Sequence, residues 1–361
     1  MPSTPLDPDG FLPESNEPWN AHSLREAQRQ WVYTLSTAQV HEVERALAHI
    51  QYCTKPALRC GPDDFPLPTL HSMLQRAVLA CETRSGLFLI RGLPIAHLSE
   101  TQARWLAWGI GLHLGVPLIQ NDIGQLMVDV RDISEGKNPD RLRDNASSAA
   151  MGFHVDACDL ATLLCRRKAA HGGHTLVANM LTIHNQLAQE NLAWLKALYQ
   201  PLPFIDLAQP GFFRCPVFAI HHGVFAARFY RKRILACRNL PGAPKLSGTT
   251  LDAIDAFEQL ASDPQNCLEI HLQPGDLQLL NNHVVCHSRT AFIDAGPFDD
   301  KRHLFRQWFA TPFSRPLPQA FRQAYGRTGA ATLRGGYQGW RQTPDTLRFQ
   351  QQLAEYHKVI A

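Results

Sequence analysis

The stretch "GFHVDACDL", residues 152–160, places a histidine and an aspartate two positions apart in otherwise apolar sequence. On a β-strand, residues i and i+2 lie on one face, about 6 to 7 Å apart. His154 and Asp156 can therefore bind one metal ion together. A chain with 17 histidines contains about one such pair by chance, so a hydrogen-bonded polar pair is the alternative. A metal site requires further ligands from elsewhere in the chain.

Short β-like segments surround this stretch. Because strands and helices do not alternate regularly along the chain, the pattern favours a barrel or double-sheet jelly roll over a doubly wound parallel sheet. The predicted strands are bounded by turn residues and cover 86–93, 126–133, 160–166, 174–180, 216–220, 224–230, 268–272, 277–286 and 302–310.

Helices are predicted mainly in the N-terminal part and at the C-terminal end, where they would pack on the outside of the sheets. Ser23, Thr69 and Ser99 are the expected N-caps of the first three. Apolar residues recur at helical spacing over 23–48, 70–81, 99–108, 182–199, 249–261 and 343–357.

The composition is that of a folded globular protein. Hydrophobic residues make up 45% and charged residues 19% of the 361 residues. We expect an extended lead-in over 1–22 and a single domain over 23–361. Nine cysteines include no CxxC pair, so buried free thiols are predicted rather than a disulfide framework or a zinc site.

The charge pattern argues against two classes of partner. The net charge is +3 and no polybasic run occurs, so neither nucleic acid nor an acidic membrane surface is an expected partner. No apolar run approaches the roughly 18 to 20 residues of a membrane span, and the N-terminus does not resemble a secretion signal. A cytoplasmic protein is expected, and the sequence leaves a homo-oligomer open.

Two later segments supply candidates to complete the site. In "PGDLQLLNNHVVCHSRTAF", residues 274–292, His283 and His287 are four apart. Four residues of a strand span roughly 13 Å, so only one of them can join the first pair. In "KRHLFRQWFA", residues 301–310, Arg302 and Arg306 share one face of a predicted strand with two largely apolar faces. A buried guanidinium requires an anion, and a ligand carboxylate matches it bidentately.

Four motifs together resemble the TauD/TfdA family of Fe(II)- and 2-oxoglutarate-dependent dioxygenases. Each is weak alone, but their order and spacing match the family across roughly residues 84–315. They are HxD at 154–156, "GGHT" at 172–175, "NNHVVCHSRTAF" at 281–292 and "RHLFRQWF" at 302–309.

The resemblance implies an α+β fold, a double-stranded β-helix or jelly roll with flanking helices, a helical N-terminal region and a C-terminal helix. It also implies a 2-His-1-carboxylate site for Fe(II). Carried over by motif, His154 and Asp156 become the proximal ligands and His287 the distal one. Arg302 would bind the C5 carboxylate of the cosubstrate 2-oxoglutarate, and Thr175 would add a hydroxyl to that carboxylate.

Four more residues are candidates for substrate contact. Arg306 is similar to an arginine that in relatives reaches the substrate or the cosubstrate. Gln120 and Asn121 stand where relatives place polar substrate contacts, although residues that only cap a turn are the alternative. Cys158 has the same parity as Asp156 and faces the pocket if the strand persists, with a core thiol as the alternative.

The implied reaction consumes O2 and 2-oxoglutarate and releases succinate and CO2. Family members that halogenate replace the carboxylate ligand, so Asp156 favours hydroxylation of an unactivated C–H. The expected substrate is a small molecule, either amino-acid-like or carboxylate-bearing, or a natural-product intermediate. Alternatives are desaturation, epoxidation or cyclisation by the same iron chemistry, and a non-catalytic cupin-like metal-binding or sensor protein. The polar segment 134–150 is predicted to be a loop, and we hypothesise that it is a lid.

Overall fold

A computed structural model describes residues 17–135, 144–206, 209–337 and 341–361. In these ranges the α-helices are α1 (Ala21–Glu26), α2 (Gln28–Trp31), α3 (Thr37–Tyr52), α4 (Leu70–Thr83), α5 (Glu100–Gly111), α6 (Met180–Glu190), α7 (Leu192–Leu198), α8 (Arg231–Ala236), α9 (Gly248–Ser262), α10 (Arg322–Tyr325) and α11 (Pro344–His357).

The strands of the same ranges are β1 (Val32–Thr34), β2 (Leu87–Arg91), β3 (Val116–Pro117), β4 (Met127–Val130), β5 (Met151–His154), β6 (Leu160–Arg167), β7 (His171–Gly172), β8 (Thr175–Asn179), β9 (Leu202–Ile205), β10 (Phe212–Cys215), β11 (Phe218–His221), β12 (Val224–Ala227), β13 (Cys267–Ile270), β14 (Leu277–Asn281), β15 (Val285–Arg289), β16 (Phe292–Ile293) and β17 (His303–Ala310).

Two sheets form the centre of the fold. The larger has the order β1-β2-β14-β6-β17-β3, with β4 also paired to β17, and the smaller has the order β13-β8-β15-β5. Leu87 and Leu280 of the larger sheet share one apolar core with Val177 and Val285 of the smaller. The sheets therefore pack face to face, as in a jelly roll, and the predicted α+β double-stranded β-helix is confirmed.

The helices cover the outer faces of these sheets, as predicted. Helices α3, α4, α5 and α11 contribute to the apolar core that includes Leu279 and Phe309 of the larger sheet. Helices α6, α7 and α9 belong to a second core, with Ala178 and Cys286 of the smaller sheet. No helix in the described ranges has both the length and the apolar character that crossing a bilayer requires.

The predicted strand 277–286 is in fact two strands in different sheets. β14 ends at Asn281 and lies in the larger sheet, whereas β15 begins at Val285 in the smaller one. The Asn281 side chain accepts a hydrogen bond from the backbone N–H of His283 at 2.9 Å, which is a typical asparagine turn. The apolar residues beyond the turn conceal this break from sequence periodicity.

The predicted helix 23–48 is also interrupted. Strand β1 pairs in parallel with β2 and separates α2 from α3. Ser36 begins α3 as its N-cap, with Gln39 completing the capping box. The N-cap of α1 is Asn20 rather than the predicted Ser23, which lies inside the first turn.

The predicted helix 182–199 divides at Asn191, whose side chain accepts hydrogen bonds from the N–H groups of Ala193 and Trp194 and so starts α7. Thr69 precedes α4 as expected, but its side chain makes no capping bond. Ser99 caps α5 through a capping box, as predicted. The hairpin of β9 and β10 was not predicted.

Candidate active site

The three predicted metal ligands meet at one end of the smaller sheet. His154 is the last residue of β5, and it lies directly opposite His287 of β15 in the antiparallel register. Asp156 lies just beyond the end of β5, where its backbone N–H donates to the Asn282 side chain at 2.8 Å. Asn282 belongs to the turn between β14 and β15, so one turn positions both the aspartate and the distal histidine.

The ligand atoms are close enough to share one ion. The ring centroids of His154 and His287 are 4.3 Å apart, and His287 Nε2 is 3.8 Å from Asp156 Oδ2. One ligand atom from each residue lies within 4.8 Å of the others, and all three residues are buried. Two further clusters of metal-binding residue types occur in the described ranges, each with partly or fully exposed members: His174 with Glu269 and His271, and Glu100 with Asp129 and His303.

The protonation states suit a metal cation. Burial and the neighbouring His154 lower the pKa of His287 to about 3. Burial also lowers the pKa of His154, so both imidazoles stay neutral near neutral pH. Burial alone would raise the pKa of Asp156, but the charge of Arg306 opposes that effect most strongly, and the net shift is downward. The site therefore presents two neutral imidazoles and one carboxylate.

The polar atoms around this point fit a bound ion. His154 Nδ1 lies 2.9 Å from the Gly152 carbonyl oxygen, and a proton on Nδ1 leaves Nε2 as the free ligand atom. Asp156 Oδ2 is buried and has no hydrogen-bond partner in the described residues. Buried polar atoms are rarely left unpaired, and an ion between the three side chains would satisfy this oxygen.

A second pocket, beside the predicted metal ligands, holds the predicted cosubstrate residues. Thr175 and Arg302 both line it together with His287. Arg302 is only 3% exposed, and its Nη1 lacks a hydrogen-bond partner among the described residues. Burial and the nearby Arg289 lower the pKa of Arg302 to about 10, so it remains a cation. An uncompensated buried cation in a pocket is suited to a ligand carboxylate.

Arg289 is a residue of this pocket that the sequence interpretation missed. Its Nη2 donates to the backbone carbonyls of Ser147 and Ala149, and its guanidinium carbon lies 4.9 Å from the Phe292 ring centroid. Arg289 thus ties the segment before β5 to the pocket. The motif "HSRTAF" contains Arg289, but the family resemblance implies a role only for the histidine of that motif.

Arg306 lies where the cosubstrate pocket meets the larger cavity, and it lines both. Its Nη1 is 3.5 Å from Asp156 Oδ1, and its Nε donates to Gln120 Oε1 at 2.9 Å. Gln120 in turn donates to the backbone carbonyl of Arg306 at 2.9 Å. Gln120 therefore fixes the guanidinium that neutralises the aspartate. Gln120 also lines the larger cavity.

The larger cavity has a volume of about 290 Å³ and opens onto His154 and Asp156. Five further residues line it, and the sequence indicated a site role for none of them. They are Tyr230, Lys232, Arg233, Trp308 and Tyr337.

Two predicted substrate contacts are not among the residues that line this cavity. Asn121 forms a local turn, accepting from the N–H of Gln125 at 3.0 Å. Cys158 is fully buried, and its sulfur accepts a hydrogen bond from Asn282 Nδ2 at 3.3 Å. Strand β5 ends at His154, so the alternation that would have aimed Cys158 at the pocket does not continue.

The hypothetical lid over 134–150 falls partly outside the described residues, which omit 136–143. The described end of the segment borders the site. Asn145 lines both pockets, and its Nδ2 donates to the Asp129 carbonyl at 3.1 Å. The backbone N–H of Phe292 donates to the carbonyl of Ser148 at 3.0 Å.

Comparison with known proteins gives a consistent result. The sequence model of the Taurine catabolism dioxygenase TauD, TfdA family matches residues 50–308. FR-33289 synthase of Streptomyces rubellomurinus is 30% identical over 313 residues, which cover 83% of this chain and 91% of that protein. Uridine-5'-phosphate dioxygenase of an Amycolatopsis species is 25% identical over 242 residues, covering 60% of this chain and 83% of that protein.

Among solved structures, an asparagine oxygenase in complex with Fe(II), hydroxyasparagine and succinate superposes with a TM-score of 0.61 at 19% identity. The alignment covers 77% of this chain and 93% of that one. At this identity the likeness supports the shared fold alone.

Proposed function

We propose, from the premise that this chain belongs to the TauD/TfdA family and is an Fe(II)- and 2-oxoglutarate-dependent dioxygenase, that it hydroxylates an unactivated C–H of a small molecule. His154, Asp156 and His287 would hold the iron. One observation supports this assignment above all. Two neutral imidazoles lie in a buried position beside a carboxylate oxygen that has no hydrogen-bond partner in the described residues.

When bound, iron with 2-oxoglutarate and O2 supplies the oxidising power that removes a hydrogen atom from the substrate and delivers oxygen to it, with release of succinate and CO2. The chain's own contribution is to bind and orient. In our proposal Arg302 forms a charge-assisted pair with the distal carboxylate of 2-oxoglutarate, and the Thr175 hydroxyl supports the same group. Burial strengthens that pair because little water competes for it.

Arg306 and Gln120 would orient the remaining polar groups. The guanidinium of Arg306 lies against one oxygen of Asp156, which leaves the other oxygen for the ion. Since Gln120 fixes that guanidinium, the two side chains together would restrict the orientation of the aspartate. Asn282 holds the backbone of Asp156 from the opposite direction. These contacts preorganise the carboxylate before a metal binds.

The substrate would occupy the larger cavity, whose wall includes the aromatic side chains of Tyr230, Trp308 and Tyr337. Such walls exclude water and hold a target C–H near the metal ligands. We infer an amino-acid-like or carboxylate-bearing metabolite, or a natural-product intermediate. The Amycolatopsis relative is named for a nucleotide phosphate, which supports a small polar substrate here.

A substrate-panel assay tests this proposal. The protein is loaded with Fe(II) without oxygen and given 2-oxoglutarate and one candidate compound, and O2 is then admitted. We expect one compound to raise succinate release and to gain the mass of one oxygen atom. A product that has instead lost two hydrogens would contradict hydroxylation. Succinate release that persists in Asp156→Ala would contradict the assignment of the metal site.

A further inference from the structure

Helix α8 brings a cationic wall to the substrate cavity. Lys232 and Arg233, neighbours in its first turn, both line the cavity that opens onto His154 and Asp156. Arg306 lines the same cavity but already lies against Asp156. Within the described lining, Asp156 is the one carboxylate, and our proposal commits it to the metal. The cavity therefore carries more positive than negative side-chain charge.

Arg233 is the most distinctive member of this wall. It is partly buried, and its guanidinium carbon lies 5.0 Å from the Tyr230 ring centroid. Throughout the described ranges, no carboxylate lies within ion-pair distance of the Arg233 side chain. Burial lowers the pKa of Arg233. Desolvating a guanidinium without a partner is costly, so this arrangement is suited to a charge that arrives with a ligand.

Two other arginines of the same region, Arg231 and Arg228, differ from Arg233 because they do not line the cavity. Arg231, at the start of the same helix, points outward and pairs with Asp255 at 2.7 Å. Arg228 is buried, with its guanidinium carbon 5.1 Å from the Tyr325 ring centroid. Neither lines the substrate cavity. Arg233, by contrast, lines the cavity and has no carboxylate of the described residues within ion-pair distance.

We propose that Arg233, with Lys232 beside it, binds an anionic oxygen-rich group of the substrate, namely a carboxylate, phosphonate or phosphate. This inference rests on the proposed function, because it names the substrate class of that site. The planar guanidinium offers parallel N–H donors that match the oxygens of any of these groups. The proximity of Arg306 to Asp156 makes Arg233 the better candidate than Arg306 for this role.

The position of Tyr230 limits the size of the substrate. Its ring centroid lies 4.9 Å from that of His154 and 5.0 Å from the guanidinium carbon of Arg233. These two distances limit the separation of the Arg233 guanidinium carbon from the His154 ring centroid to at most about 10 Å. A substrate whose oxidised carbon lies a few bonds from its anionic group fits this spacing.

Anion binding to the enzyme loaded with Fe(II) and 2-oxoglutarate, kept without oxygen, tests the proposal. Acetate, methylphosphonate and inorganic phosphate serve as separate probes, and the shift of the melting temperature gives each dissociation constant. We expect at least one probe to bind and Arg233→Gln to weaken it roughly tenfold to a hundredfold. Arg231→Gln, the matched control, should bind that probe as the unaltered enzyme does.

The three probes also identify the chemistry, since tighter binding of methylphosphonate or phosphate than of acetate would assign a dianion, and the reverse a carboxylate. Failure of all three to bind, or equal binding by Arg233→Gln and the unaltered enzyme, would overturn the proposal. Visible absorption of the iron–2-oxoglutarate complex is recorded on the same samples. If that complex forms while no probe binds, the anion site alone is refuted; if it does not form, the proposed function fails first.

Discussion

At the scale of single residues, the site is built from charges that burial penalises unless a ligand or a neighbour compensates them. Asp156 keeps a lowered pKa despite burial, and the charge of Arg306 is the largest cause that favours its charged form. Arg302 has no such protein carboxylate within ion-pair distance in the described ranges, and its Nη1 has no acceptor there. The difference indicates that the charge of Asp156 is already compensated in the free protein, whereas the charge of Arg302 would be compensated only by a bound ligand.

Replacing Arg302 with lysine tests that interpretation. Lysine keeps the charge but loses the paired N–H donors, so we expect the Michaelis constant for 2-oxoglutarate to rise roughly tenfold to a hundredfold. Steady-state succinate release measures it. Arg167→Lys is the control, because Arg167 lies on the surface and pairs with Asp300 at 3.0 Å. An unaltered constant in Arg302→Lys would contradict the assigned role.

At the scale of secondary-structure elements, two turns position the ligands. The turn between β7 and β8 passes close to Arg302: Gly173 has a φ of +70°, and a Cβ built there would lie 2.8 Å from Arg302 Nε. Glycine is thus required at this position both for its backbone conformation and for the space beside the guanidinium. The turn between β14 and β15 supplies Asn282, which holds the backbone of Asp156.

Gly173→Ala should therefore affect cosubstrate binding as well as stability. Gly242→Ala is its matched control, since Gly242 has a φ of +74° and no heavy atom within 4 Å of a built Cβ. Both variants should lose about 1 kcal/mol of unfolding free energy from backbone strain. We expect the Michaelis constant for 2-oxoglutarate to rise in Gly173→Ala alone, and equal constants in the two variants would argue against close packing on Arg302.

Asn282→Ala should weaken iron binding. Outer groups that orient metal ligands typically contribute about tenfold to a hundredfold in affinity, and removing Asn282 frees the backbone of Asp156. Equilibrium dialysis of Fe(II) without oxygen measures the change. Asn266→Ala is the control, because Asn266 is equally buried and bonds to Gln186, away from the site. Similar losses in both variants would mean that the effect is general destabilisation.

The sequence predicted these elements unevenly, for physical reasons. The predicted metal ligands and Arg302 lie in short motifs whose order along the chain can be recognised in the sequence, and the structure brings them together. The sequence did not indicate Arg233, because three basic residues such as "RKR" at 231–233, too few for a polybasic run, are typical of a solvated surface. Only the course of the chain after β12 turns Arg233 towards the cavity. The turn at Asn281 was hidden because apolar residues continue on both sides of it.

At the scale of the whole molecule, buried histidines couple stability to pH. Burial lowers the pKa of His113, His283 and His357 to about 4 in each case. His113 and His357 each have one ring nitrogen close to a backbone carbonyl oxygen, and His283 bonds to Asp159 at 2.7 Å. These contacts raise the pKa of each histidine, but burial outweighs them. The folded protein therefore resists protonation that the unfolded chain accepts at the ordinary histidine pKa of about 6.5.

Because the unfolded chain binds more protons between about pH 4 and pH 6.5, stability should fall as the pH falls through that window. Within that window, each such histidine lowers the free energy of unfolding by about 1.4 kcal/mol for each unit by which the pH falls. Urea unfolding should show a lower midpoint near pH 5 than near pH 7, and His113→Gln should flatten the dependence. His22→Gln, at an exposed position, should leave it unchanged. A midpoint independent of pH would contradict this account.

The central claim is that one buried site binds iron through His154, Asp156 and His287 and binds 2-oxoglutarate through Arg302. The most direct test is a titration of the Fe(II)-loaded protein with 2-oxoglutarate in the absence of oxygen, followed by visible absorption. We predict one iron per chain and a saturable absorption band that is lost in Asp156→Ala and requires more 2-oxoglutarate in Arg302→Lys. An unaltered protein that binds no iron, or a band that survives Asp156→Ala unchanged, would contradict the claim.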